Sequence, residues 1–207
     1  MPNWCGNTMV VMGDYNELKD FQQKLLHARQ VADELKNWHL YQIYEEFGLK
    51  NEEVLERSDY IRGYFTDIEK TISLTSNGTK YFKVWYESAW GPMIEGFDFL
   101  LSHYKTLKQY TIAEECGCEV YINTDTTGEF FPEKYCLDVE DVDIYYPESD
   151  EELIKFFNDL VRQYTPKSKQ VVCKSVNDIY KFLANNDFCL NAKDETEHVS
   201  LNEYGTY

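Results

Sequence analysis

Six cysteines and four histidines are the residues of this chain best suited to hold a metal or act as nucleophiles: Cys5, Cys116, Cys118, Cys136, Cys173 and Cys189, with His27, His39, His103 and His198. Cys116 and Cys118 are the one close pair, and Cys5 or Cys136 with His103 could complete a zinc site around them. Metal knuckles usually place two residues between paired cysteines, whereas Gly117 alone stands here, and no second pair follows. No metal is expected. A disulfide at this spacing would be strained, and the six thiols read as reduced. Thiolate chemistry is disfavoured as well, because Glu114, Glu115 and Glu119 surround the pair and raise a thiol pKa. The histidines lie in no recognisable motif. No phosphate-binding loop, dinucleotide glycine motif or His-Glu-x-x-His is present. Paired carboxylates such as Asp141 and Asp143 are too plentiful to single out. No catalytic residue and no cofactor are therefore assigned, and binding is favoured over catalysis.

The most distinctive electrostatic feature is the run LDVEDVDIYYPESDEE. It gathers Asp138, Glu140, Asp141, Asp143, Glu148, Asp150, Glu151 and Glu152 around Tyr145 and Tyr146. Alternation in its first part places carboxylates along one strand face. Such a face could dock a basic protein or imitate a phosphate ladder; the competing possibility is a solvated edge strand that charge protects from aggregation. The whole chain carries a formal charge of −17, from 37 acidic and 20 basic residues among 207. A chain so acidic repels duplex DNA and attracts basic protein surfaces. Hydrophobic residues make up 43% and aromatics 16%, enough for a real core. The apolar stretch Met9–Met12 is too short for a signal peptide and no run reaches membrane-spanning length, so a cytoplasmic protein with no membrane contact is expected.

These groups must be positioned by the elements around them. Asn7 to Gly13 reads as a strand apolar on both faces. Asp14 caps the helix that follows, with Glu17 in capping-box position and Leu18, Phe21, Leu25 and Leu26 as its stripe. Residues 31–64 read as a helical insertion, with a stripe through Leu35, Trp38, Leu40, Tyr41, Ile43, Tyr44 and Phe47, a stop at Gly48, and a second helix capped by Asn51 that carries Val54 and Leu55. Its helix-turn-helix rhythm does not suit DNA, since Glu52, Glu53 and Glu56 would face phosphates. Thr71–Thr75 and Tyr81–Glu87 read as a hairpin joined by a type I′ turn at Asn77-Gly78. The loop SAWGPM precedes a helix through Ile94, Phe97 and Leu101; strands follow at Gln109–Ala113 and Val120–Thr124, then at Tyr135–Val139 and Val142–Tyr146. Ser149 caps an amphipathic helix, another begins near Ser175, and VSLNEYGTY suggests a last short strand. The order predicts an α+β fold: a ferredoxin-like sandwich with an antiparallel sheet over residues 1–146, a helical insertion at about 31–64, and a helical extension, 147–207, packed on that core.

Three stretches carry a family resemblance. MPNWCGNTMVVMG, with Pro2, Asn3, Trp4, Cys5, Asn7 and Gly13, resembles the opening of the Api92-like proteins of phages and plasmids. YESAWGPM, Tyr86 to Met93, resembles the family's strand followed by a Trp-x-Pro-Pro loop, although Met93 stands where a second proline is usual. IAEECGCEVYINTDTTGE is a looser likeness, and its Cys116-Gly117-Cys118 turn departs from the common one. The resemblance covers about half of the chain. It implies a ferredoxin-like fold and a mobile-element origin, and no established activity. Together with the charge, it leads to the expectation of an accessory protein that works by protein–protein binding, one form being an acidic antagonist of a host nucleic-acid-processing or defence factor. The expected contact residues are Asp138, Glu140, Asp141, Asp143, Tyr145, Tyr146, Glu148, Asp150, Trp90 and Pro92. Two alternatives stand: a small enzyme with a pocket between the Trp90–Pro92 loop and the Cys116 turn, and a homo-oligomeric module whose tyrosine-rich face self-associates. Trp4 and Cys5 are expected as a packed N-terminal anchor.

Overall fold

The computed structural model describes residues 3–35, 42–49, 62–139, 143–164, 171–185 and 199–206. The second inserted helix and its Asn51 cap lie outside these residues, as do Trp38, Leu40, Tyr41, Glu140, Asp141 and Cys189. The chain forms two compact units, Met1–Thr126 and Thr127–Thr206. The division therefore falls at 126/127 rather than at the expected 146/147. The strands Tyr135–Val139 and Asp143–Tyr145 belong with the C-terminal helices, because their apolar residues share one core with them.

In the first unit the elements are β1 (Trp4–Met12), α1 (Tyr15–Glu34), α2 (Gln42–Glu45), β2 (Gly63–Ile68), β3 (Ser73–Leu74), β4 (Lys80–Ala89), α3 (Ile94–Leu101), β5 (Lys108–Glu115) and β6 (Val120–Asn123). The sheet order is β2-β4-β1-β5-β6, with β3 paired to the start of β4, and the pairings are antiparallel. The crossovers β1-α1-β2 and β4-α3-β5 each skip one strand. This is the interlocked pair of split β-α-β units of a ferredoxin-like α+β sandwich.

The alternation of side chains across a strand explains the layering. Met9 and Val11 of β1 and Phe82, Val84 and Tyr86 of β4 point to the helices, where they meet Leu18, Phe21 and Leu25 of α1 and Phe97 and Leu100 of α3. All but Tyr86 are inaccessible to solvent, and each such side chain stabilises the fold by roughly 1.5–3 kcal/mol relative to an exposed one.

Local chemistry alters several expected details. Asp14 does cap α1, accepting from the Asn16 N–H at 2.9 Å. Glu17 does not close a capping box; it accepts from the Thr106 N–H at 2.9 Å and the Thr106 hydroxyl at 2.7 Å, and so ties α1 to the loop before β5. The insertion is shorter than expected, since α1 continues to Glu34 and β2 starts at Gly63. In place of a long helical stripe, the described part has the four-residue α2, which buries Ile43 and Tyr44. Gly48 ends it at φ 76°. The second core strand is β2, not Thr71–Thr75, of which only Ser73–Leu74 pairs. The Asn77-Gly78 turn is not type I′, because of its two residues only Gly78 has positive φ. The Gly78 N–H donates to the Thr75 carbonyl at 3.0 Å, and Asn77 spends its side-chain oxygen on the Thr79 N–H at 3.1 Å, giving a three-residue loop.

The second unit contains β7 (Tyr135–Val139), β8 (Asp143–Tyr145), α4 (Asp150–Tyr164), α5 (Val176–Asn185) and β9 (Val199–Glu203). The strands form an antiparallel sheet in the order β8-β7-β9. Tyr135, Leu137 and Leu201 pack with Leu153, Phe157 and Ile179 of the helices. Ser149 caps α4, accepting from the Glu152 N–H at 3.2 Å, and Ser175 with Asp178 does the same for α5.

A salt link fastens the start of α4 to the sheet. Asp150 accepts from the Lys134 ammonium at 2.6 Å and the Tyr135 hydroxyl at 2.8 Å. Lys134 first, then Tyr135, hold the Asp150 carboxyl below its ordinary value of 3.8. A depressed carboxylate contributes stability that is complete above its unfolded pKa and lost as pH falls through the folded one. The stability difference between the natural chain and Asp150→Asn should therefore be constant from pH 7 to about 5 and vanish towards pH 2. Its size should not exceed about 1 kcal/mol, because both partners are about half exposed. Thermal melts of both proteins across this range check it.

Candidate functional site

One end of the first sheet is fastened by side chains from three separate stretches. Asn7 points to the helix side of β1 and is buried. Its amide donates to the Cys5 carbonyl at 2.7 Å, the Ser88 hydroxyl at 2.8 Å and the Tyr86 carbonyl at 3.3 Å. Ser88 in turn donates to the Gly91 carbonyl at 2.8 Å, and the Trp90 N–H donates to the Asn3 carbonyl at 2.9 Å. The Asn3 side chain donates to the Cys118 sulfur at 3.5 Å. Glu115, at the end of β5, accepts from the Gly117 N–H at 2.9 Å and from the Cys118 N–H. The opening residues, the Trp90–Pro92 loop and the Cys116 turn thus converge, with Asn3 touching both of the others.

This fastening leaves two tryptophans outward. Trp90 is 53% exposed and holds φ at 72°. A bulky residue in the left-handed region is a genuine backbone outlier, and such strain gathers at functional positions. Trp4 is 41% exposed. The expectation of a packed anchor holds for Cys5, which is fully buried, but fails for Trp4. Alternation along β1 turns Trp4 away from the helices, edge-on to Tyr64 with ring centroids 5.3 Å apart.

Two thiols here, Cys5 and Cys118, are raised above their ordinary values. Burial, then the charges of Glu115 and Glu114, push Cys5 up to about 12. The Cys118 thiol is raised because it donates to Glu115. Neither is poised as a thiolate nucleophile at neutral pH. His27 and His103 are engaged elsewhere, His27 within 2.6 Å of Glu46 and His103 between the rings of Phe47 and Phe99, 5.1 Å from each. Among the described residues, no three His, Cys, Asp or Glu side chains converge to hold a metal, and no helix is long and apolar enough to cross a membrane.

On the sheet face away from the helices lies a hollow of about 310 Å³. Strand register builds it. Glu87 of β4 and Glu114 of β5 oppose Gly6 of β1 from its two sides. The next row on this face, towards the middle of the strands, is Trp85, Thr8 and Ile112. Tyr64 of β2 opposes Glu87, and its hydroxyl donates to that carboxylate; Glu87 raises the Tyr64 phenol to about 12. Two carboxylates therefore flank a glycine, with Trp85 in the lining of the hollow and Tyr64, packed against Trp4, beside Glu87 on the same face. None of these except Trp4 stands out in the sequence. Their one signal is the every-second-residue spacing of Trp4, Gly6 and Thr8 and of Trp85 and Glu87, which shows its meaning only once the pairing is known.

The acidic run is divided among several roles. Asp138 on β7 opposes Ile144, the neighbour of Asp143 on β8, so Asp138 and Asp143 point to opposite faces, while Glu140 and Asp141, on which the expected alternation also rests, lie outside the described residues. Tyr145 packs on Phe156 with centroids 5.4 Å apart. Asp150, Glu151 and Glu152 occupy the first turn of α4, where carboxylates favour the helix dipole, and Glu152 also accepts from the Glu148 N–H at 2.9 Å. Tyr146, Asp143 and Glu148 are exposed. Trp90 and Pro92 belong to the first unit, at the fastened end of its sheet.

Comparison with known proteins yields no match: no family model, no curated protein and no solved structure is significantly similar to the chain.

Proposed function

We propose that the chain is a cytoplasmic accessory protein of a phage- or plasmid-type mobile element, related to the Api92-like proteins, that acts by binding a basic protein. The observation that supports binding of a basic protein is the row Glu87–Gly6–Glu114 with the aromatic residues beside it. Carboxylates on such a face steer a positively charged partner and set the salt sensitivity of association, while aromatic side chains beside them supply the area that slows release. The chain's charge of −17 adds a long-range field of the same sign. A nucleic-acid-processing or defence factor of the host has the basic surface this requires, and antagonism of such a factor fits a mobile-element protein. The protein would not bind duplex DNA itself, because contact would bring carboxylates to phosphates instead of releasing counterions.

The test is capture of partners from a bacterial host lysate on the immobilised chain, compared with Glu87→Gln/Glu114→Gln and with Asp143→Asn/Glu148→Gln. A basic protein retained by the natural chain and at least tenfold depleted by the first pair is the expected result. Depletion by the second pair alone would move the contact to the exposed part of the acidic run. Capture of no basic protein would remove the proposal.

A further inference from the structure

A glycine in the middle of a central strand weakens that strand and often marks a place where another molecule approaches closely. Gly6 is such a residue, paired on both sides. The fold itself does not demand it. Its φ is not in the left-handed region, and a Cβ built there would meet no outside atom nearer than the Glu114 carbonyl oxygen at 3.9 Å, an ordinary contact. Gly63 behaves differently: its Cβ would lie 1.9 Å from the Glu87 carbonyl oxygen. Gly13 also has a structural reason, with φ +152° and Leu107 at 2.8 Å. At Gly6 the absent side chain leaves only space, and Gly6 is exposed.

We infer that the hollow over Gly6 receives one arginine side chain of the basic partner; this rests on the reading of the sheet face as the binding surface. Strands β4 and β5 flank β1, so their backbones stand two strand spacings apart, about 10 Å. A group lying over Gly6 comes between the Glu87 and Glu114 side chains, and a cation there is attracted from both sides. The Tyr64 hydroxyl holds the Glu87 carboxylate in place. Trp85 and Ile112, across the row from each other, line the hollow and offer an aromatic and apolar surface to such a side chain. The two carboxylates repel anions. A guanidinium suits this arrangement better than an ammonium. It is planar and weakly hydrated, stacks on an indole, and donates in fixed directions to carboxylates on opposite sides.

The experiment follows backbone amide and indole NMR signals of the full-length ¹⁵N-labelled chain during titration with capped arginine, capped lysine and capped citrulline, the last a neutral isostere of arginine. Arginine should shift Gly6, Thr8, Ile112 and the Trp85 indole saturably in the millimolar range. Lysine should bind at least threefold more weakly, and citrulline at least tenfold more weakly. Gly6→Val should fold with an unchanged or higher melting temperature and lose the arginine shifts at least tenfold. Gly6→Ala, whose methyl fits beside the Glu114 carbonyl, keeps the test open should valine unfold the chain. Citrulline binding as well as arginine, arginine shifts centred on Asp143–Glu152, or full retention by both Gly6 variants would each overturn the assignment. If Gly6→Val lost no affinity for a basic partner captured from lysate, the arginine receptacle would fall while partner binding stood. If arginine filled the hollow but no basic protein were captured, the receptacle would stand and the partner reading would fall.

Discussion

Replacing Asn7 with leucine should destabilise the first unit by about 2–4 kcal/mol, although leucine has the same branching and the same number of side-chain heavy atoms. The Asn7 amide serves the Cys5 carbonyl, the Ser88 hydroxyl and the Tyr86 carbonyl in a region closed to water. Leaving a buried polar group without its partner costs about 1–3 kcal/mol, and leucine withdraws the donor from several at once. For a chain of this size the expected fall in melting temperature is roughly 5–15 °C. The damage extends to the Trp90 loop, because Ser88 links Asn7 to the Gly91 carbonyl. Denaturant melts measure the loss, and the fluorescence of the exposed Trp90 reports on the loop. A variant within about 0.5 kcal/mol of the natural chain, the range of an ordinary surface change, would show that Asn7 is not the fastening point.

Gly63→Val should be about as damaging, for a steric reason. The added Cβ would come within 1.9 Å of the Glu87 carbonyl oxygen and 2.9 Å of the Glu87 carbonyl carbon and the Ser88 Cα. These are backbone atoms of β4, so relief requires β2 to separate from it. Overpacking of this kind costs about 3 kcal/mol. The displacement would also draw Tyr64 away from Glu87. Hydrogen exchange should show the β2 and β4 amides opening in this variant, while Gly6→Val leaves β1 protected. Two strand glycines on the same sheet would then give opposite stability outcomes, one needed by the fold and the other not.

The ferredoxin-like order was legible because its elements are local. Asn7 to Gly13 is a short run apolar on both strand faces, Leu18, Phe21 and Leu25 recur at helical spacing, and Ser149 with Glu152 announces a cap. Strand β2 was hidden: Gly63 begins it, and a register shift between Phe65 and Asp67 breaks its alternation. The boundary at 126/127 was hidden too. What groups β7 and β8 with α4 and α5 is burial of Leu137 against Phe157 and Ile179, a relation between distant residues that no local pattern records. The hollow fails to appear in the sequence for the same reason. Glu87, Gly6 and Glu114 are unremarkable singly, and only antiparallel register lines them up. The acidic run was visible because it is contiguous, yet part of its charge works inside its own unit, with Asp150 on Lys134 and Tyr135 and Glu152 on the start of α4.

The most direct test of the central claim is a hydrogen-exchange footprint of the chain with and without the basic partner captured from lysate. Protection is expected centred on Trp4–Thr8, Trp85–Glu87 and Ile112–Glu114, weakening as salt is raised. Protection confined to Asp143–Glu152, with those three strand segments exchanging as in the free chain, would contradict it.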